Sequence, residues 1–339
     1  MHLNQLLIFS IENHSSDLHL SSGLPPILRI DGVLKRTDFP MLSEESLILC
    51  LHDIMNEEQR KRFEKDLEVD FSFEFNGAGR FRVNIFKQNR GIAAVFRIIP
   101  NTVLSLKDLG LPSIVAELSR KSHGLILVTG PTGSGKSTTL AAIVDDINTH
   151  CNHHILTIED PIEFIHQSKN CVINQREVMR DTHSFHQALR AALREDPDII
   201  LVGELRDVET IRLALTAAET GHLVLATLHT QSATQTIHRL IDVFPAAEKA
   251  MIRTQVSSSL KAVIAQSLLK KEGGGRVAAL EVMVCNAALA HMIREDKVAQ
   301  MYSVLQTGRS EGMFTLDQHL EELIAMGKIS AKTAQAYAA

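Results

Sequence analysis

The chain has 339 residues, enough for two ordinary domains with sizeable cores. Hydrophobic residues make up 45% and charged residues 22%, which excludes a disordered or fibrous chain and points to a soluble globular protein. The net charge of −5 argues against broad electrostatic binding to nucleic acid or anionic lipid, leaving room only for a local basic patch.

No apolar run is long enough for a transmembrane helix. Residues 1–10 lack the basic region and cleavage site of a secretory signal. Cys50, Cys151, Cys171 and Cys285 are scattered, so they read as reduced cytosolic thiols rather than a disulfide framework or metal site.

From Met1 to about Pro100 the pattern is mixed α and β. Asp17–Leu20 and Ile27–Ile30 are strand candidates, and Asp31-Gly32 makes a hairpin turn before Val33. Ser43 opens a helical stretch, and a second helix runs from Glu57 to Leu67. Alternating strands follow at Asp70–Phe75, Arg80–Phe86 and Ile92–Ile98, with turns at Asn76-Gly77 and Asn89-Arg90-Gly91. This half reads as a small sheet with helices on one side. Period two puts Arg80, Arg82 and Asn84 on one strand face, and Arg97 interrupts an apolar run. From the residues alone, these are a solvated sheet face and a salt-bridged arginine.

Pro100 to Pro112 reads as a linker. Beyond it, strands alternate with helices, the pattern of a parallel α/β sheet. Strand candidates are Gly124–Thr129, His154–Ile158, Ile199–Gly203, Leu223–Leu228 and Ala278–Val284, with helices filling the gaps. After about Asn286 only short helices are expected: Ala287–Asp296, Thr315–Ala325 and Ala331–Ala338.

The chemistry concentrates in this second half. Gly130-Pro131-Thr132-Gly133-Ser134-Gly135-Lys136-Ser137 matches the phosphate-loop pattern at every fixed position, between an apolar strand and a helix from Thr138. Glycines let several N–H groups turn inward around a phosphate, and the helix adds its positive dipole end. Lys136 would reach the β- and γ-phosphates of ATP, and the Ser137 hydroxyl would bind Mg²⁺. Thr138 completes the phosphate-binding set. About 65 residues downstream of the loop, Asp198–Glu204 is an apolar strand delivering Glu204 to the sheet edge, where it can hold Mg²⁺ directly or through water. Glu159, Asp160 and Glu163 follow another strand; they suit water activation, or equally a solvated acidic loop. Between the two histidines flanking Leu223–Leu228, His229 is the better candidate for sensing a γ-phosphate than His222.

Together the phosphate loop, Thr157–Phe164, Arg194–Glu204 and Thr220–Thr230 resemble the Walker A, Asp box, Walker B and His box of the secretion-superfamily ATPases. The resemblance runs nearly end to end and is closest to the branch that retracts type IV pili in twitching motility; 217–222 and 295–302 are especially specific. It implies a PAS-like α+β domain (1–99) and a linker (100–112). A RecA-like P-loop NTPase domain follows (113–339), with C-terminal helices from about 287. ATP would bind between the two domains of a homohexameric ring. Glu163 would polarise water, Glu204 would be the Mg²⁺-side acid and His229 the phosphate sensor. Arg82 and Arg97, with Arg80 and Arg239 behind them, would reach the phosphates.

The implied setting is cytoplasmic, at the inner face of the inner membrane. The implied partners are a membrane platform protein and the pilus machinery, with no nucleic acid. An extension ATPase or a type II secretion ATPase is the alternative within the family. The extension enzyme usually adds an N-terminal domain and a tetracysteine site, neither of which is seen here. A nucleic-acid translocase is disfavoured by the acidic balance and by the absence of aromatic-rich basic stripes. One departure stands out. The family's C-terminal motif Ala-Ile-Arg-Asn-Leu-Ile-Arg-Glu, tied to retraction, reads here Ala288 to Glu295 with Ala290 and His291 in place of the first arginine and the asparagine. The chain ends soon after Tyr337, so no longer regulatory tail is expected.

Overall fold

The computed structural model describes residues 3–30, 32–75, 79–99 and 102–337. The chain divides into two units, Met1–Thr102 and Val103–Ala339. Among the described residues no helix is long and apolar enough to cross a membrane.

The first unit runs α1 (Leu3–Glu12), β1 (Asp17–Ser21), β2 (Ile27–Ile30), β3 (Val33–Arg36), α2 (Glu44–Ile54), α3 (Glu57–Asp66), β4 (Glu68–Phe75), β5 (Gly79–Gln88) and β6 (Gly91–Ile99). Its antiparallel sheet has the order β3-β2-β1-β6-β5-β4, in keeping with the expected α+β, PAS-like unit. Local chemistry sets the helix ends. The Ser43 side chain accepts from the Ser46 amide at the start of α2, and Asn56 and Gln59 form a reciprocal capping box at the start of α3. Helix α3 stops at Asp66 because Leu67 turns left-handed, with φ of 63°. The core gathers Leu7, Leu51, Phe63, Phe81 and Phe96, with the two central rings of Phe81 and Phe96 edge-on at 6.3 Å. Helix α1 was not anticipated from the sequence. The expected turns at Asp31-Gly32 and Asn76-Gly77 involve residues outside those described.

The second unit continues with α4 (Ser113–Ser119), β7 (Gly124–Thr129), α5 (Lys136–His150), β8 (His154–Glu159), β9 (Val172–Glu177), α6 (Phe185–Ala192) and β10 (Ile199–Val202). Then come α7 (Val208–Glu219), β11 (Leu223–Leu228), α8 (Ala233–Asp242), α9 (Lys249–Ser259), β12 (Leu260–Lys270) and β13 (Arg276–Val284). The chain closes with α10 (Ala287–Arg294), α11 (Met301–Thr307), α12 (Leu316–Ala325) and α13 (Ala331–Gln335). The sheet order is β13-β12-β7-β11-β10-β8-β9, parallel throughout except where β13 runs antiparallel to β12. Apolar cores on its two faces make this the expected RecA-like α/β arrangement.

Four expectations change. Strands β9 and β12 occupy stretches read as helix. The sheet gains an antiparallel edge at β13. Helix α10 ends at Arg294, because Asp296 has a positive φ. Within the segment read as a linker, Leu106, Leu109 and Leu111 pack into the second unit's core, while Pro100 and Asn101 lie outside the described residues. Ala338, the expected end of the last helix, also lies outside them.

Two buried titratable groups fasten α12 to β13. Glu281 accepts hydrogen bonds from the amides of Ala233, at 2.7 Å, and Leu316, so one carboxyl caps the first turns of α8 and α12. The Leu280 amide donates to His319 Nδ1 at 2.9 Å, which fixes this imidazole as a neutral acceptor. Burial pulls the His319 pKa down from 6.5 to about 4. The folded state therefore resists protonation while the unfolded chain does not. The associated stability is complete above about pH 6.5 and is lost as pH falls towards 4; the shift corresponds to about 3 kcal/mol at most. His166 shares that window, its pKa likewise lowered to about 4 by burial. The test is therefore a difference. Thermal midpoints of wild type and His319→Asn, taken from pH 7.5 to 4.5, should diverge, with wild type losing more on acidification. Parallel curves would mean that His319 does not titrate with unfolding.

Candidate nucleotide site

All six residues of β7 are buried, so the strand must end inside the sheet and the chain must leave it abruptly. It leaves through Gly130, whose φ of 139° is closed to ordinary side chains, and re-enters helical geometry after Gly135 at φ 89°. Both glycines are also needed for space. A Cβ on Gly130 would land on the Gln266 carbonyl, and one on Gly135 would sit 2.8 Å from Gln266 Nε2. The loop therefore lies directly on β12. Pro131, Thr132 and Gly133 form its exposed crest, while Ser134 is buried and its hydroxyl has no protein partner. Ser137 and Thr138 lie in the first turn of α5 and remain partly exposed.

Lys136 is only 9% exposed and folds back over the loop, donating to the carbonyls of Gly130 at 2.8 Å and Pro131 at 3.1 Å. Burial lowers its pKa, and the charges of Glu204 and Glu163 oppose that shift. Lys136, Glu163 and Glu204 thus lie within electrostatic reach of one another.

Glu204 follows β10 and is held on both sides. His229 Nε2 lies 3.0 Å from Oε1, and Arg206 Nε donates to Oε2 at 2.7 Å. Arg206 Nη1 also lies 3.5 Å from Asp160. The Thr227 hydroxyl donates to the Gly203 carbonyl at 2.6 Å, and the Leu205 amide to the Thr227 carbonyl at 3.1 Å, which locks the ends of β10 and β11 together. His222, at the other end of β11, is occupied by the Ala217 carbonyl and belongs to local structure.

The acidic segment is an ordered turn rather than a solvated loop. Glu159 accepts from the Thr157 hydroxyl at 2.7 Å and from Gln175 Nε2 at 3.2 Å; burial still raises its pKa, with Glu163 adding to the rise. The same Gln175 donates to the Phe164 carbonyl at 2.8 Å and accepts from the His166 amide at 2.8 Å. The Glu177 carboxylate accepts from the Ile162 amide at 3.1 Å. Strand β9 thus clamps the turn that presents the half-buried Glu163.

Sequence reasoning missed Gln175, Arg206 and Gln266. None falls in a short motif, although β9 and β12 read as strands would have placed both glutamines beside the loops they hold. Gln266, buried on β12, donates from Nε2 to the Ser134 carbonyl at 2.7 Å and accepts from the Thr139 hydroxyl at 2.8 Å.

Of the arginines expected to act on phosphates, Arg82 and Arg97 lie in the first unit, each on a carboxylate of that unit. Arg82 donates to Asp70 through Nε at 3.1 Å and Nη2 at 2.6 Å, and Arg97 donates through Nε to Asp17 at 2.9 Å. Arg80, largely buried, donates to the Ser72 hydroxyl at 3.0 Å. Arg239 is exposed on α8.

The residues present fit a nucleotide phosphate with Mg²⁺. Glycine-opened backbone, a folded-back lysine and an unpartnered buried hydroxyl suit an anion. Ser137 and Glu204 are the oxygen donors that Mg²⁺ takes. Among the described residues no group of three or more His, Cys, Asp or Glu could hold a metal by itself, so such an ion would also need phosphate and water oxygens.

Comparison with known proteins gives the same picture. The family model for Type II/IV secretion system protein matches residues 2–335. The chain is 61% identical over 335 residues to the type IV pilus retraction ATPase PilT of Pseudomonas aeruginosa, covering 99% of this chain and 97% of that one. A crystal structure of the pilus retraction motor PilT with bound ADP superposes with a TM-score of 0.92 at 47% identity, covering 100% of this chain and 97% of that one. The ATPase DotB of Legionella pneumophila superposes with a TM-score of 0.85 at 28% identity, covering 99% and 94%.

Proposed function

The chain belongs to the Type II/IV secretion system protein family, and on that footing we propose that it is an ATPase motor that hydrolyses ATP to power type IV pilus retraction and twitching motility. One observation carries the reading: Lys136, Glu163, Glu204 and His229 meet at the loop edge of one sheet, in a chain 61% identical to a retraction ATPase over 99% of its length.

In this reading the β- and γ-phosphates occupy the cradle from Gly130 to Thr138. Lys136 exchanges the two loop carbonyls for phosphate oxygens. Ser137 and Glu204 hold Mg²⁺, which when bound draws charge from the phosphate oxygens. Glu163 orients the attacking water and accepts its proton. His229, already against Glu204, reports the γ-phosphate to the β10 and β11 ends. Arg82 and Arg97 leave their aspartates for the phosphates and offset charge developing in the transition state. The working form is a homohexamer at the cytoplasmic face of the inner membrane, acting on a platform protein of the pilus machinery to depolymerise pilin.

Lys136→Ala should abolish ATP turnover while leaving a folded protein, and hydrolysis at the wild-type rate would sink the assignment. Glu163→Gln should still bind ATP but turn over at least about 10²-fold more slowly, because an amide cannot take the proton. Normal turnover in that variant would place the base elsewhere.

For the arginines, thermal midpoint without nucleotide and ATPase rate are measured together on Arg82→Ala and Arg97→Ala. The expected outcome is a small change in midpoint with a rate loss of about 10³-fold. Lowered midpoints with near-normal rates would assign both residues to the sheet and its ion pairs alone.

A heterologous ring closes at a fixed subunit number. Light scattering at micromolar concentration with ATP and Mg²⁺ should therefore report a hexamer. A strict monomer under those conditions counts against the motor.

A further inference from the structure

We propose that Gln266 is the positioning residue of the phosphate loop, fixing the direction in which the Gly135 amide presents its N–H to phosphate. The proposal rests on the nucleotide reading above and deepens it.

The placement begins with strand register. The parallel ladder between β7 and β12 runs to Thr129 opposite Ala265. Strand β7 ends there, while β12 continues to Lys270. Gln266 is therefore the first β12 residue beyond the paired region, beside the point where the loop leaves the sheet. The loop touches it twice, at the positions where a side chain on Gly130 or Gly135 would collide with it.

The carboxamide then joins the two ends of the turn. Its Nε2 donates to the Ser134 carbonyl at 2.7 Å, and its Oε1 accepts from the Thr139 hydroxyl, one turn into α5, at 2.8 Å. These partners fix the amide orientation, since the reverse would set two oxygens against each other at Ser134. Gln266 is only 4% exposed and Thr139 1%, so water does not replace either bond readily.

Peptide planarity carries the consequence to the ligand. The Ser134 carbonyl and the Gly135 N–H belong to one trans peptide unit and point in opposite directions. Holding that carbonyl on β12 turns the Gly135 N–H away from the strand, into the concave side of the loop beneath Lys136. Gln266 thus acts on phosphate without touching it. Asparagine is too short to reach, and glutamate offers the acceptor for Thr139 but no donor for Ser134.

The test is ADP affinity by calorimetry on the full chain with Mg²⁺, for wild type, Gln266→Glu, Gln266→Met, Thr139→Val and Lys136→Ala, with the nucleotide-free thermal midpoint alongside. Gln266→Glu and Gln266→Met should each lose about tenfold or more in affinity at pH 7.5, the equivalent of one lost buried hydrogen bond. Thr139→Val should lose less, because the Ser134 bond survives. Gln266→Glu should regain affinity relative to Gln266→Met as pH falls and its carboxyl gains a proton to donate, a recovery that a merely structural role would not produce. ADP bound as tightly by both Gln266 variants as by wild type overturns the proposal. So does a Gln266→Glu defect that tracks Gln266→Met at every pH. Should either Gln266 variant fail to fold, Thr139→Val carries the test, and unchanged affinity there also overturns it. Failure of wild type to bind ADP, or full binding by Lys136→Ala, would instead defeat the nucleotide reading itself.

Discussion

The site depends on one constraint: β7 is buried from end to end between β12 and β11. A strand without an exposed face cannot slide or twist out, so the point where it ends is fixed by ladders on both sides. Its neighbours β11 and β12, then β10 and β8 beyond β11, run parallel to it. Every loop leaving a C-terminal strand end therefore emerges on the same edge. The phosphate loop, the acidic turn, Glu204 and His229 lie far apart in sequence and together in space for that reason. The cross-links at Gly203, Thr227 and Leu205 tie the ends of β10 and β11, so Glu204 and His229 belong to one fastened edge rather than to two loose loops.

The charges at that edge are out of balance. Glu159, Asp160, Glu163 and Glu204 face Lys136 and Arg206, with His229 contributing only when protonated. Three donors satisfy the Glu159 oxygens and favour its charged form, while burial raises its pKa. Adding a polyphosphate makes the excess larger. A site of this composition favours added positive charge when it takes a polyphosphate, which bound Mg²⁺ would supply. The Arg82–Asp70 pair is half-exposed on both sides, whereas exposed Arg97 sits on the buried Asp17 carboxylate, so parting Arg97 from Asp17 costs more than parting Arg82 from Asp70.

Sequence reasoning succeeded where the local signal has one structural meaning. The phosphate loop is such a case: its glycines are demanded by left-handed backbone and by contact with β12, so the motif and the geometry are the same fact. Strands β7, β10 and β11 were legible because each is short, apolar and bounded. Strand β12 was not. It follows α9 without a turn, and its apolar centre, Ala262–Ala265, has no alternation and carries no period to separate strand from helix. Strand β9 failed for the opposite reason. It is a half-exposed edge strand with polar residues at most positions, and it is held there by pairing with β8. Losing these two strands hid Gln266 and Gln175 together, because each glutamine's role exists only once its strand lies beside the right loop. Arg97 shows a further limit: an arginine in an apolar run has the same sequence whether it pairs with Asp17 or leaves it for a phosphate.

The C-terminal departure can be placed on the same physical basis. In α10, Leu289 and Ile293 are fully buried in the core and the helix packs against α9, whereas His291 and Arg294 are exposed and Ala290 is only partly covered. Arginine and asparagine at 290 and 291 would thus occupy the outer part of the helix, where side-chain identity alters what is presented and leaves the packing intact. Asn286 caps the helix through the Leu289 amide, and Arg294 lies 3.4 Å from the Ser257 hydroxyl of α9, so the position of α10 is set by residues other than the two that differ. The nucleotide machinery sits at the loop edge of the sheet and does not draw on this face. Changes at 290 and 291 therefore alter the outer side of α10 and leave untouched the hydrogen bonds by which β12 holds the phosphate loop.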